Sequence, residues 1–140
     1  MMDERISQFI KKHHLLTLAT TQDNHPYCAS CFYAYDDVHA LLILATDPIT
    51  KHAKEALQNP SVAGTIALET KLIGKIQGVQ FTGRFRQADE KEVRRYLKRF
   101  PYAIAVHPHV WCVEIEYLKF TDNTLGFGKK LEFFRSPTPS

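Results

Sequence analysis

The stretch with the most chemistry in its spacing is Thr46-Asp47-Pro48-Ile49-Thr50-Lys51-His52-Ala53-Lys54. It follows the apolar run Ala40 to Ala45 and opens a helical signal at Thr50–Gln58, whose apolar stripe is Ile49, Ala53, Ala56 and Leu57 and whose stop is Asn59-Pro60. The first backbone N–H groups of a helix lack an intrahelical acceptor and favour an anion. Here hydroxyls, a fixed positive charge and an imidazole arrive at that same end, the donor set of a phosphate cradle. The alternative is an ordinary Thr cap with a basic first turn. Lys51 there opposes the helix dipole by about 0.3–1 kcal/mol, and an anion would reverse that sign.

Other reactive residues group less well. Cys28-Ala29-Ser30-Cys31 has redox or zinc spacing, but within a strand residues i and i+3 point to opposite faces, so reduced, non-ligating thiols are expected. His107-Pro108-His109 with Cys112 is the tightest of the metal-like clusters. The two imidazoles could share a strand face, yet Cys112 projects oppositely and no fourth ligand is evident, so surface histidines in a proline-bearing loop are expected and no metal site. Gly126-Phe127-Gly128-Lys129-Lys130 fails as a phosphate loop: Asn123 stands where the first glycine is needed, and Lys130 where magnesium requires Ser or Thr. Arg94, Arg95, Lys98 and Arg99 suit the C-terminal half of a helix as a solvated face. No nucleophile-elbow or triad-like motif supports hydrolase chemistry.

The elements that must position these residues come from one domain spanning 1–140, since 140 residues match a single domain's usual size. A hydrophobic share of 44% and a charged share of 24% exclude a disordered or fibrous chain. Eighteen Lys and Arg against fifteen Asp and Glu leave a formal +3, too small a surplus to argue for nucleic acid. The longest apolar run has six residues, against the ~20 that a membrane-spanning helix requires, so no membrane partner is expected. The N-terminus lacks the charge and apolar run of a secretory signal, and three cysteines cannot close a disulfide framework; a cytoplasmic protein is expected.

Asp3 can cap a first helix, over about residues 1–13, with Ile6, Phe9 and Ile10 on one face. The rhythm then changes to strands at about Leu15–Thr21, Tyr27–Tyr35 and Val38–Thr46, joined by turns too short for parallel crossovers. The last is apolar on both faces apart from His39, so a helix or a second subunit must cover its outside. Two more strands are expected at Val62–Leu68 and Ile76–Arg86. Asp89 and Glu92 form a capping box that opens a helix burying Val93, Tyr96, Leu97 and Phe100 and ending at Pro101. A long strand at Val110–Phe120 puts Trp111, Val113, Ile115 and Tyr117 on one face, and from Gly126 the chain is less regular, with a tail at 131–140. The fold class is mainly β: a six-stranded antiparallel barrel with short helices, closed so that its edges are paired.

Thr46-x3-Thr50-Lys51-His52-x4-Leu57-x-Asn59-Pro60-x-Val62 resembles the phosphate-binding pattern of the pyridoxamine 5′-phosphate oxidase-like FMN-binding split barrels. Tyr27–Asp36 is similar to their second strand, and Gly78-Val79-Gln80-Phe81-Thr82-Gly83 to a later one. Gly78-Val79-Gln80-Phe81 and Phe120–Lys130 look like the small, uncharacterised YhbP-like bacterial branch. The resemblance implies a split-barrel homodimer with FMN at the subunit interface. Thr50, Lys51 and His52 match the phosphate positions, and Ala45 and Thr46 the strand end beside ribityl and ring. Gln77 and Gly78 match the place from which the second subunit reaches the ring. The implied activity is an FMN-dependent oxidoreductase acting on a small-molecule substrate, with NAD(P)H as a candidate partner. The alternative is a flavin or haem carrier without turnover. No Arg stands within Cys28-Ala29-Ser30 to match the oxidase's early phosphate ligand, so oxidation of vitamin B6 itself is not implied.

Overall fold

A computed structural model describes residues 2–136; the expected tail beyond Ser136 lies outside the described residues. The first helix, α1 (Glu4–Lys12), begins where the Asp3 carboxylate accepts the Arg5 backbone N–H at 2.8 Å. It buries Ile6, Phe9 and Ile10. The Tyr33 hydroxyl donates to the Ile10 carbonyl at 2.6 Å and ties the helix to the barrel.

Strands β1 (Leu15–Gln22) and β2 (His25–Asp36) form a hairpin whose two turn residues, Asp23 and Asn24, have φ of 52° and 63°. Two left-handed residues in succession match the right-handed twist of the flanking strands. The third strand, β3 (Leu41–Ala45), is shorter than the expected Val38–Thr46. The Asp36 carboxylate captures the N–H groups of Val38 and His39 at 3.0 and 3.1 Å, which makes 37–40 a turn and leaves Val38 79% exposed. After α2 (Lys51–Gln58) come β4 (Ser61–Ala67), β5 (Gln77–Gln87), α3 (Glu90–Arg99), β6 (Val110–Asp122) and β7 (Lys130–Phe134).

The strands lie in the order β3-β2-β1-β4-β5-β6-β7, and β3 also pairs with β6, which closes a ring of six antiparallel strands. The expected barrel is therefore present. β7 is an addition, a strand where irregular chain was expected. One edge of β6 pairs with β5 along Trp111–Asp122; the other is shared by β3 over Val110–Glu114 and β7 over Tyr117–Thr121. Leu131 and Phe133 of β7 pack against the core.

Glu116 has no partner on β5, because Ile115 pairs with Gly83 and Tyr117 with Thr82. Such a bulge shifts the alternation by one residue. Trp111, Val113 and Ile115 face the core as expected, but Leu118 and Phe120 then replace Tyr117, which turns outward against Phe134. A Cβ on Gly83 would lie 2.5 Å from the Glu114 carbonyl oxygen, so only glycine permits the close approach there.

Both faces of β3 are buried. Leu42 and Leu44 enter the barrel core, whereas Leu41 and Ile43 pack with Ala34, Val110 and Cys112 under Val93, Tyr96 and Leu97 of α3. The cover over the strand's outside is thus a helix of the same chain. Two of the four cations expected on a solvated face of α3 are engaged instead. The Arg99 guanidinium donates to the carbonyls of Lys11 and His13 at 3.2 and 2.7 Å, and Arg95 donates to that of Tyr35 at 3.4 Å.

Elsewhere the barrel wall is bare. Cys28, Ala19, Ala63 and Thr82 form one row across β2, β1, β4 and β5, and Ser30, Thr17, Thr65 and Gln80 form the next. None of these outward positions is buried or charged.

Candidate functional site

At the end of β3 the backbone of Thr46 is fixed from both sides. Its N–H donates to the His109 carbonyl at 3.1 Å, and its carbonyl accepts the Trp111 indole N–H at 2.9 Å. A tight turn follows, in which the Asp47 carboxylate accepts the Ile49 N–H and the Asp47 carbonyl accepts both the N–H and the hydroxyl of Thr50. The turn delivers Thr50 to the cap of α2, where its oxygen accepts the Ala53 N–H at 3.4 Å. Ala53 and Ala56 anchor the helix in the core; Ile49 and Leu57, expected on the same stripe, are exposed.

Three side chains converge at this junction. The Thr46 Oγ1 lies 2.6 Å from the His52 Nε2, and the Thr50 Oγ1 is 3.4 Å from that nitrogen and 3.5 Å from the Thr46 hydroxyl. Burial pushes the His52 pKa down from 6.5, so at neutral pH the ring is an uncharged hydrogen-bonding group. The backbone N–H groups of Lys51 and His52 have no acceptor among the described residues.

Lys51 takes a different course. Its ammonium runs down the helix to the Glu55 carboxylate at 3.0 Å and lies 5.1 Å above the Tyr27 ring. Glu55 is buried and also accepts the Thr20 hydroxyl at 2.9 Å. Of the expected phosphate residues, Thr50 and His52 thus meet with Thr46, and Lys51 stands on the flank.

Ala45 and Thr46 line a cavity of about 300 Å³ with Asp47, Val106, His107, Pro108 and His109. The two histidines were expected only as loop surface. They border the site because β3 and β6 pair there, and no local sequence signal announces that pairing. His107 adopts φ 47°, a left-handed conformation that few residues other than glycine take up. Another cavity, of about 460 Å³ beside α3, is lined in part by Arg86, Glu92 and Glu114, whose charges satisfy one another.

Gln77 and Gly78 lie at the opposite end of the barrel, where the Gln77 amide donates to Asp122 at 3.2 Å. Ala45 pairs with Val110 and Gly78 with Thr121, eleven residues further along β6, roughly 35 Å of extended strand. One small ligand cannot touch Thr46 and Gly78 of the same chain. Cys31 is buried in the core and Cys28 exposed, both free, as strand alternation requires. No group of three or more His, Cys, Asp or Glu among the described residues is placed to hold a metal ion. No helix there is long and apolar enough to cross a membrane.

A family model described as pyridoxamine 5′-phosphate oxidase matches residues 2–121, from α1 to the end of β6. The chain belongs to that family. Within it, this chain is 39% identical over 134 residues to the UPF0306 protein YhbP of Salmonella paratyphi A, covering 93% of this chain and 91% of that protein. Among solved structures the family fold recurs in an FAD-binding protein of Mesorhizobium loti. The TM-score is 0.71 at 17% identity, over 84% of this chain and 90% of that one. A haem-binding protein of Mycobacterium smegmatis matches with a TM-score of 0.70 at 14% identity, over 86% of this chain and 52% of that one.

Proposed function

We propose that this split barrel binds FMN at the start of α2 and serves as an oxidoreductase toward a small-molecule substrate, with NAD(P)H as a candidate electron donor. The observation that carries the reading is the junction of Thr46, Thr50 and His52 beside two free backbone N–H groups. Neutral donors at a helix start suit a phosphate group, and no acidic side chain sits in the first turn to repel it. In this reading the Thr50 hydroxyl, the N–H groups of Lys51 and His52, the His52 ring and the Lys51 ammonium hold the phosphate. Ala45 and Thr46 flank ribityl and ring. When bound, FMN supplies two-electron redox chemistry, and the chain supplies binding, orientation and exclusion of water.

The active form in this reading is a homodimer. Gln77 and Gly78 are too distant to serve the site of their own chain, so they serve a partner's. Both ends of the barrel expose apolar side chains: Ile49 and Val106, the latter 75% exposed, beside Thr46; Leu72, Ile73 and Phe127, the last 84% exposed, toward the end that carries Gln77. Together with the uncharged rows of β2, β1, β4 and β5, these are surfaces that a second copy would cover.

A second reading, a carrier of haem or flavin without turnover, draws on the exposed imidazoles of His107 and His109 at the same cavity. A visible spectrum of the purified protein, then NAD(P)H reduction and sedimentation, separates the two. Flavin bands that NAD(P)H bleaches, on a dimer, are expected. A haem band, flavin that no donor reduces, or a flavin-bearing monomer would overturn the first reading in its cofactor, activity or assembly respectively.

A further inference from the structure

Lys51 and Glu55 stand one helical turn apart, the spacing at which an acid and a base on a helix meet. The contact differs from an ordinary surface pair in its surroundings. Glu55 is only 3% exposed and its second oxygen is taken by the Thr20 hydroxyl of β1, so the carboxylate is fixed; the Lys51 side chain is 60% exposed, so the ammonium is the mobile partner. Lys51 is also the first residue of its helix, where a positive charge is disfavoured by the dipole unless an anion is present. A long, flexible stem can place the ammonium either down the helix on Glu55 or back at the N–H groups of the first turn. Only the first placement has an acceptor in the structure.

We propose that Lys51 is a two-position cation whose resting partner, Glu55, competes for it with a phosphate at the start of α2, so that Glu55 sets how strongly the site prefers a phosphorylated ligand. The inference rests on the flavin reading above for the ligand's identity, but not for the competition itself. When the ammonium turns to a phosphate, Glu55 is left ionised and nearly enclosed, with Thr20 as its remaining hydrogen-bond donor. In the resting arrangement the Lys51 ammonium and the Thr20 hydroxyl hold the Glu55 carboxyl below its ordinary 4.5, so at neutral pH it is charged while Lys51 is on it. Leaving such a group unpaired offsets part of what the phosphate contact contributes. Thr20 limits that loss, which makes it a positioning residue for the exchange.

Two variants should move in opposite directions. Glu55→Gln keeps the shape and an acceptor for Thr20 but leaves no charge behind, so FMN should bind about three- to tenfold more tightly, with riboflavin unchanged. Thr20→Val removes the donor that stays with Glu55, so FMN should bind more weakly by about the same factor, again with riboflavin unchanged. A purely structural role for the cluster would shift both flavins together, or both variants in one direction, and either result overturns the proposal. If no variant binds either flavin, the flavin reading fails, and titration with inorganic phosphate followed by phosphorus NMR line broadening decides the inference alone. Tighter phosphate binding in Glu55→Gln upholds it, and unchanged binding overturns it.

Discussion

Two strand-to-helix junctions in this molecule solve the same problem with opposite residues. At the start of α3, Asp89 and Glu92 form a reciprocal capping box, Glu90 adds a second acid to the first turn, and Arg86 grips Glu92 through two contacts of 2.8 Å. The Glu92 charge has its partner in Arg86, and the Asp89 carboxylate accepts the Glu92 N–H. At the start of α2, Thr50 caps alone, the first turn carries no acid, and Lys51 and His52 occupy positions where anionic side chains would normally sit. The α3 junction has its own anions and is structural. The first turn of α2 lacks one, and this is the physical reason for proposing an external anion there.

The largest effect on stability is expected at α3. Arg86→Ala leaves the buried Glu92 carboxylate without its charged partner, and we expect a loss of about 2–3 kcal/mol, below the figure for a fully buried pair because Arg86 is partly exposed. Urea denaturation reads that loss, and the ratio of FMN to riboflavin affinity should not change. Acid tests the same contact. Arg86 holds the Glu92 pKa at about 2 against 4.5, so its contribution is complete above pH 4.5 and fades as pH falls toward 2. The denaturation midpoint should therefore fall more steeply over that window in the parent than in Glu92→Gln; equal slopes would show that the contact is not what acid breaks.

At α2 the largest change concerns binding. Lys51→Ala should weaken FMN about tenfold and riboflavin little, because a charge-assisted hydrogen bond is lost only where a phosphate is present. Fluorescence quenching of both flavins checks this, and an equal loss for both would return Lys51 to the role of a surface cation. The smallest test exchanges the character of the two junctions. Lys54→Glu should stabilise α2 by a few tenths of a kcal/mol and weaken FMN slightly, whereas Glu90→Lys should destabilise α3 by a similar amount and leave flavins alone. Thermal melts with paired titrations measure both signs.

The two junctions also differ in how plainly the sequence displays them. The α3 box is local: Asp89 and Glu92 are three residues apart, and the structure contains the expected motif. The hydroxyls and imidazole of α2 were legible for the same reason. The contact of Lys51 with Glu55 is equally local, an i,i+4 pair that the spacing displays beside the helix-start chemistry. Features made by distant pairing were beyond reach. The bulge at Glu116 turns Tyr117 outward; the apolar alternation changes phase at Tyr117-Leu118, but a tyrosine suits either face and so does not mark where the shift falls. The short Lys130–Phe134 carries its alternation in five residues beside two glycine turns, too little to distinguish a strand from loop. The helix that covers β3 was one of two covers the apolar pattern allowed, and only the packing of Tyr96 on Ile43 chooses between them.

The central claim, that the start of α2 takes the phosphate of a flavin, is tested most directly by titrating the unmodified apo-protein with FMN and with riboflavin under identical conditions. The two ligands differ only in the phosphate group. FMN is expected to bind at least about tenfold tighter, the contribution of one charge-assisted contact. Equal affinities would contradict it and leave Thr46, Thr50 and His52 as the cap of an ordinary surface helix.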